Sequence, residues 1–141
     1  MAKILKADDQ LRALLAATRT IALVGASPRP DRASHGVMAF LQNAGYRVIP
    51  INPAAAGQTI LDEPVFAALS DVPEPIDMVD VFRRSEDTPP VARDAVAVGA
   101  KSLWLQLGIE SDEAARIATE GGLDVVMNRC TAIEIRRLDG R

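Results

Sequence analysis

A chain of 141 residues that is 48% hydrophobic and 25% charged has the size and composition of one ordinary globular domain. Its net charge of -3 and its aromatic content of 4% argue against a nucleic-acid surface, which needs excess lysine and arginine or repeated stacking rings. The single cysteine, Cys130, cannot form an internal disulfide, and no apolar run approaches the roughly 20 residues of a membrane span, so a cytoplasmic protein is predicted.

The first predicted elements form a strand, helix and strand behind an opening helix. Residues 8–17 place three leucines on one face after two aspartates, which is typical of a helix start. The apolar run TIALVGAS at 20–27 predicts the first strand. Ser34 is predicted to cap a helix that Gly45 ends, and residues 46–53 follow as the second strand. This order indicates a right-handed βαβ unit.

The second half of the chain continues this alternation after residues 57–75, whose prolines and turn formers predict a mostly irregular connection. The elements predicted there are a strand at 77–82, a helix from Thr88 to Gly99, a strand at 102–108, a helix capped by Ser111, a strand at 123–128 and a helix over 132–138. The predicted fold class is α/β, a Rossmann-like doubly wound sheet of five parallel strands, with residues 1–141 as a single domain.

The loop after the first strand has the composition of an anion site. Ligands of such sheets bind outside the carboxyl ends of the strands where the winding reverses, which here lies beside the first strand. Gly25 lets backbone approach a ligand, Ser27 and Ser34 offer hydroxyls, and the following helix start offers free amides that attract phosphate. Arg29 and Arg32 add bidentate donors. The sequence therefore predicts a phosphate-bearing ligand at this loop.

Two further loops are expected at the same edge. The third strand ends in Phe82, Arg83 and Arg84, an arginine pair beside a ring that suits phosphate and a purine; Arg83 is the stronger candidate, and a solvated surface pair is the alternative. The fourth strand ends in Gln106 and Leu107, where the glutamine and nearby backbone are expected to contact polar edges of the ligand.

The dinucleotide fingerprint GxGxxG is incomplete in this loop. It would place glycine at positions 25, 27 and 30, where the chain has Gly25, Ser27 and Pro30. The second strand ends in Asn52 instead of the carboxylate that holds the ribose of NAD. These departures disfavour a nicotinamide-dependent enzyme.

No catalytic or metal-binding residue is predicted. The lone His35, at a helix start, is interpreted as a solvated or capping residue. Cys130 is expected to be a small buried side chain, with a reactive thiol as the alternative. Asp77 and Asp80 of the third strand are interpreted as structural residues, and Trp104 as part of the sheet core.

Taken in order, the motifs resemble a known family. The succession VGAS, P-x-R-x-S before a helix, INP, VDVFR, LWLQLG and N-R-C resembles the small bacterial CoA-binding proteins, which are similar to the CoA-binding domain of the succinyl-CoA synthetase alpha subunit. The resemblance spans about residues 18–138. It implies coenzyme A as cofactor. The residues it implies at the phosphates are Gly25, Ala26, Ser27, Arg32 and Ser34, and those along the nucleotide and pantetheine path are Asn52, Pro53, Val81, Phe82, Arg83, Gln106 and Leu107.

The chain departs from the family pattern at two positions. Asn128 stands where many relatives carry Asp, and Ala55 where the synthetase has a lysine, so the arginines are expected to supply the phosphate contacts. The phosphorylated histidine of the synthetase lies in a further domain that this sequence does not contain. The resemblance therefore does not imply ligase chemistry.

The predicted function is binding of CoA or an acyl-CoA by a non-catalytic binding or regulatory module. An NAD(P)-dependent oxidoreductase and an accessory subunit of a CoA ligase stay open as alternatives. The expected partners are the small molecule and either a protein partner or further copies of the chain, with no nucleic acid and no membrane.

Overall fold

The computed structural model describes residues 2–139, in which strands and helices alternate along the chain. In chain order the elements are α1 (Asp8–Ala17), β1 (Thr20–Val24), α2 (Ala33–Asn43), β2 (Arg47–Ile51), β3 (Thr59–Ile60), β4 (Glu63–Pro64), β5 (Met78–Val81), α3 (Thr88–Ala97), β6 (Ser102–Leu105), α4 (Asp112–Glu120), β7 (Asp124–Val126) and α5 (Thr131–Asp139). The five predicted main strands and the helices between them are confirmed.

The main sheet has the strand order β2-β1-β5-β6-β7, and every neighbouring pair is parallel. The chain passes outward from β1 to β2 and then returns to β5 on the other side of β1. The winding therefore reverses between β1 and β5, and the predicted α/β fold of the Rossmann-like class is confirmed.

Helices cover both faces of this sheet. Alternate strand residues point to opposite faces, so Met78 packs with α1, α2 and α5 while its neighbour Val79 packs with α3 and α4. Trp104 lies on the same face as Met78 and Leu103 on the same face as Val79, and all four side chains are fully buried. Burial on both faces is the reason that these parallel strands are almost continuously apolar in sequence.

The connection between β2 and β5 is more regular than predicted. β3 and β4 form a small antiparallel hairpin, and the turn residues Leu61 and Asp62 have φ of 48° and 69°. Turns with positive φ usually contain glycine, which is absent from this turn, and Pro64 lies inside β4, where a proline is unusual. The sequence therefore carries little signal for a hairpin here. The prediction of a mostly irregular segment over 57–75 missed it.

The N-terminal segment pairs with the outer edge of β7. The Leu5 N–H donates to the Val125 carbonyl at 2.7 Å, and the Val125 N–H donates to the Lys3 carbonyl at 3.0 Å. Leu5 is buried, whereas Ile4 stays 40% exposed beside the sheet. Two backbone hydrogen bonds thus hold this segment where it can form part of a cavity wall.

One predicted helix cap is wrong and one is confirmed. α2 begins at Ala33 with Arg32 at the N-cap position, because a turn from Arg29 to Arg32 brings the chain into the helix early. Ser34 consequently lies inside the first turn and is 5% exposed. Ser111 caps α4 and accepts a hydrogen bond from the Ala114 N–H at 3.1 Å. Among the described helices, none has the length and apolarity to cross a bilayer.

Candidate functional site

A cleft of about 430 Å³ opens where the winding of the sheet reverses. We call it the switch-point cleft. The residues that line it are Gly25, Ala26, Ser27, Arg29, Arg32, Ala33, Ser34, Asn52, Phe82 and Arg83. All of them except Arg29 and Ala33 are residues predicted to bind the cofactor. The sheet topology brings them together because the carboxyl ends of parallel strands share one edge.

Gly25 allows the loop after β1 to contact the loop after β5. Its φ of +90° lies in the left-handed region, and its N–H donates to the Ile51 carbonyl at 3.0 Å. A Cβ at this position would overlap the backbone carbonyl of Phe82. Glycine is therefore needed for two reasons, the backbone conformation and the close approach of the β5 loop.

Asn52 fixes the loop after β1 from the end of β2. Its Nδ2 donates to the Ala26 carbonyl at 2.7 Å, and its Oδ1 accepts from the Ala54 N–H at 3.0 Å. An ionised Asp or Glu has no hydrogen to donate to the Ala26 carbonyl. The residue that looked like a missing ribose ligand for NAD thus has a structural role that requires an amide.

The cleft carries positive charge that is not neutralised by neighbouring carboxylates. Within residues 2–139, Arg32 and Arg83 have no ion-pair partner, whereas Arg29 pairs with Asp31 at 3.1 Å. In the first turn of α2 the His35 N–H donates to the Arg32 carbonyl at 3.1 Å, whereas the N–H groups of Ala33 and Ser34 have no acceptor inside the helix. Two available guanidinium groups beside a helix N-terminus suit a phosphate-bearing ligand.

Four of the predicted cofactor-binding residues lie outside or only at the border of this cleft. Pro53 lines a neighbouring pocket of about 160 Å³ that Arg83 also borders. Val81 is fully buried in β5, and Gln106 is 3% exposed with its side chain directed into the core. Ligand contacts at Val81 and Gln106 therefore stay predictions for their backbone atoms. Leu107 is 63% exposed and lines a different cavity.

The Gln106 side chain belongs to a buried polar network around Asp80. The Asp80 carboxylate accepts hydrogen bonds from Gln106 Nε2 and from Thr131 Oγ1. Burial raises the pKa of Asp80 to about 7. The network joins β5, the residue that follows β6 and the first residue of α5, which agrees with the structural role expected for this carboxyl. The sequence alone could not reveal the Thr131 contact, which joins residues far apart in the chain.

Two more cavities continue along the same edge of the sheet. The middle cleft, about 530 Å³, is lined by the Phe82–Glu86 loop with Gly108 and Ile109. The outer cleft, about 500 Å³, lies at the ends of β6 and β7 beside the start of α5. Cys130 lines the outer cleft and is partly exposed, so the expectation that it is buried is wrong. The sequence pointed to Leu107 and to the N-R-C motif at 128–130 but did not predict a cavity there.

The fold and this site define a ligand-binding α/β domain, and comparison with known proteins gives its family. The family model described as a CoA binding domain matches residues 19–136. The chain belongs to this family, and CoA binding is the general function that membership supports.

Similar proteins extend this result. The uncharacterized protein YneT of Bacillus subtilis (strain 168) is 38% identical over 124 residues, which cover 88% of this chain and 90% of YneT. The Thermus thermophilus protein solved as cell-free ID.343 is 38% identical, with a TM-score of 0.90, and the match covers 94% of this chain and 99% of that chain. The dinucleotide-forming acetyl-coenzyme A synthetase 1 of Ca. Korarchaeum cryptofilum is 26% identical, with a TM-score of 0.66 over 75% of this chain and 25% of that chain.

Proposed function

We propose that this chain binds coenzyme A in the switch-point cleft and acts as a binding or regulatory module of the cytoplasm. The observation that carries the proposal is that Arg32 and Arg83, which have no ion-pair partner among the described residues, line a cleft with a glycine loop and a helix start in a member of the CoA-binding family. The CoA diphosphate lies against Gly25 and Ser27, where guanidinium and amide N–H groups neutralise it.

The neighbouring cavities suggest which end of the ligand lies on which side of the switch-point cleft. On the β2 side, a pocket of about 160 Å³ has the size for a flat purine ring, with apolar walls from Ile51, Pro53 and Ala68 and the charged residues Arg83 and Asp94 at its lining. On the β6 side, the larger middle cleft offers an extended path that suits the pantetheine arm. Arg83 borders both, which places its charge near the phosphates between the two ends of the ligand.

The lining of the switch-point cleft favours binding over catalysis. Of the described residues that line it, none is a carboxylate, a histidine or a cysteine. A hydride-transfer enzyme needs a group that handles the substrate proton, and the side chains at this cleft do not supply one. The chain therefore acts as a module that presents CoA, or that signals through a protein partner or another copy of itself.

Replacing Arg32 or Arg83 with alanine should weaken CoA binding by about tenfold or more, because each change removes a charge-assisted hydrogen bond to phosphate. Both side chains lie at the surface of the cleft, so the thermal unfolding midpoint should change little. Isothermal titration of CoA against each variant measures the effect. The matched control is Arg116→Ala, which removes an exposed arginine of α4 that pairs with Glu120.

The same titrations decide between the functions. CoA affinity that falls in both cleft variants and stays within twofold for Arg116→Ala is the expected pattern. A wild-type protein that does not bind CoA, or that binds NAD more tightly than CoA, would overturn the proposal. Native mass spectrometry of the purified protein, with the mass of CoA retained on the chain, is an independent measurement of the same binding.

A further inference from the structure

The outer cleft gathers the exposed apolar surface of the molecule. Within residues 2–139, the large hydrophobic side chains that are exposed are Ile4, Leu107 and Ile133, and all three line this cavity. They come from three separate parts of the chain: the N-terminal segment, the loop after β6 and the helix α5. Scattered exposed hydrophobics are ordinary, but three that converge on one cavity mark a binding site.

We propose that the outer cleft holds the acyl chain of an acyl-CoA whose nucleotide occupies the switch-point cleft. This inference rests on the proposed CoA binding and adds the class of acyl group. The occupant is an uncharged hydrocarbon chain, because the cavity of about 500 Å³ has room for one and its lining, although partly polar, includes Ile4, Leu107 and Ile133.

The three clefts follow one another along the carboxyl ends of the strands. Phe82 and Arg83 line both the switch-point cleft and the middle cleft. Gly108 and Ile109 of the middle cleft directly follow Leu107, which lines the outer cleft. Neighbouring parallel strands are about 4.8 Å apart, so the two intervals from β1 to β6 span about 10 Å. An extended pantetheine arm bound at the first cleft therefore delivers its thioester to the beginning of the outer cleft.

One wall of the outer cleft lies outside the part of the chain that matches the family model. Ile4, Leu5 and Lys6 line the cavity, whereas the family match begins at residue 19. The hydrogen bonds to Val125 hold this wall in place, and the Arg129 guanidinium donates to the Lys6 carbonyl at 3.3 Å. The outer cleft thus takes one wall, with the apolar side chains of Ile4 and Leu5, from a segment that precedes the matched part of the chain.

The charges at the cavity select against acyl groups that end in a carboxylate. Glu110 and Asp112 line it, and neither has an ion-pair partner among the described residues. Glu134 is a third carboxylate there, and it is paired with Arg129 at 3.0 Å and Arg137 at 2.8 Å. Lys6 is the remaining cation of the lining. Because two unpaired carboxylates face one unpaired ammonium group, a succinyl chain is repelled while a hydrocarbon chain is not.

The test is a series of calorimetric titrations with CoA, acetyl-CoA, octanoyl-CoA, succinyl-CoA and free octanoate. Each fully buried methylene is worth about a fourfold gain in affinity, so even a partly buried octanoyl chain should bind at least tenfold more tightly than acetyl-CoA. Succinyl-CoA should bind no more tightly than CoA, and free octanoate should bind far more weakly than octanoyl-CoA.

Two variants test whether the acyl chain lies in the outer cleft. Ile133→Gln exchanges an exposed apolar side chain of α5 for a polar helix former and should remove most of the octanoyl advantage while leaving CoA affinity unchanged. Ala97→Gln adds a glutamine to the exposed surface of α3, on the opposite face of the sheet, and should change neither affinity.

The outcomes separate this inference from the proposed function. No binding of CoA or of any acyl-CoA contradicts both. CoA binding with no gain for octanoyl-CoA, or an octanoyl gain that survives Ile133→Gln, overturns the acyl site and leaves CoA binding standing. Succinyl-CoA binding more tightly than octanoyl-CoA, or free octanoate binding as tightly as octanoyl-CoA, also overturns it. An octanoyl gain that Ile133→Gln alone removes is the expected result.

Discussion

Replacing Gly25 with alanine should lower the free energy of unfolding by about 3 kcal/mol and abolish ligand binding at the switch-point cleft. The new Cβ would occupy the place of the Phe82 carbonyl, and neither backbone can move away easily because both follow directly from buried central strands. The positive φ adds strain of its own for any residue with a side chain. Urea denaturation measures the loss of stability, and calorimetric titration with CoA measures the loss of binding.

Gly36→Ala is the matched control for this substitution. Gly36 lies in α2 with an ordinary helical backbone, and a Cβ added there meets no atom within 4 Å. Alanine should therefore stabilise the helix by up to about 1 kcal/mol and leave CoA affinity within twofold. Equal stability of Gly25→Ala and the wild type would show that the β1 and β5 loops do not meet as described.

The stability of the wild-type protein should fall as the pH rises from about 4 to about 8, by at most about 4 kcal/mol, because of Asp80. In the unfolded chain this carboxyl ionises near pH 4, whereas in the folded protein burial raises its pKa to about 7. Between these values the folded state holds a proton that the unfolded state has lost. Raising the pH removes that proton and leaves a negative charge inside the core.

Asp80→Asn should flatten this pH dependence. The asparagine has the same shape and no charge, and it can both accept from Gln106 and donate to Thr131. The variant is therefore expected to match the wild type near pH 5 and to exceed it near pH 8. Urea denaturation of both proteins at pH 5, 6, 7 and 8 makes the comparison, and parallel curves would contradict the assignment to Asp80.

Other carboxyls act in a separate pH range. Hydrogen bonds from Arg137 and Arg47 lower the pKa values of Asp8 and Glu74, respectively. Their contributions to stability are present above the unfolded pKa and are lost only as the pH falls below about 4. The contributions of Asp8 and Glu74 therefore lie below the pH range in which Asp80 acts.

The alternation of strands and helices was sufficient to predict the architecture and the location of the switch-point cleft. Because parallel strands end at one edge, the sequence placed Gly25, Asn52 and Arg83 near each other without any knowledge of contacts, and the structure brings them to one cleft. Local patterns succeed here because each strand is buried and each loop begins at a defined strand end.

The features that escaped prediction depend on contacts between distant parts of the chain. Gln106 follows an apolar strand and looks like a residue of the ligand-binding edge, but its partners are Asp80 and Thr131, which come from other elements. The pairing of Lys3 with Val125 likewise has no local signal in the sequence. A single sequence read by periodicity cannot identify such partners, because pairing depends on which elements become neighbours in space.

The pairing of the N-terminal segment has a consequence for solubility. A strand at the border of a sheet displays unpaired N–H and C=O groups. A strand of another chain can pair with these groups, and repeated pairing leads to aggregates. Here Lys3 and Leu5 occupy those groups on β7. At the opposite border, Phe66 hydrogen-bonds to Pro50 and Asn52 beside β2, and the proline ring offers no N–H. Each border of the sheet is thus partly covered, which shortens the edge that is open to the strand-to-strand growth by which β-sheets aggregate.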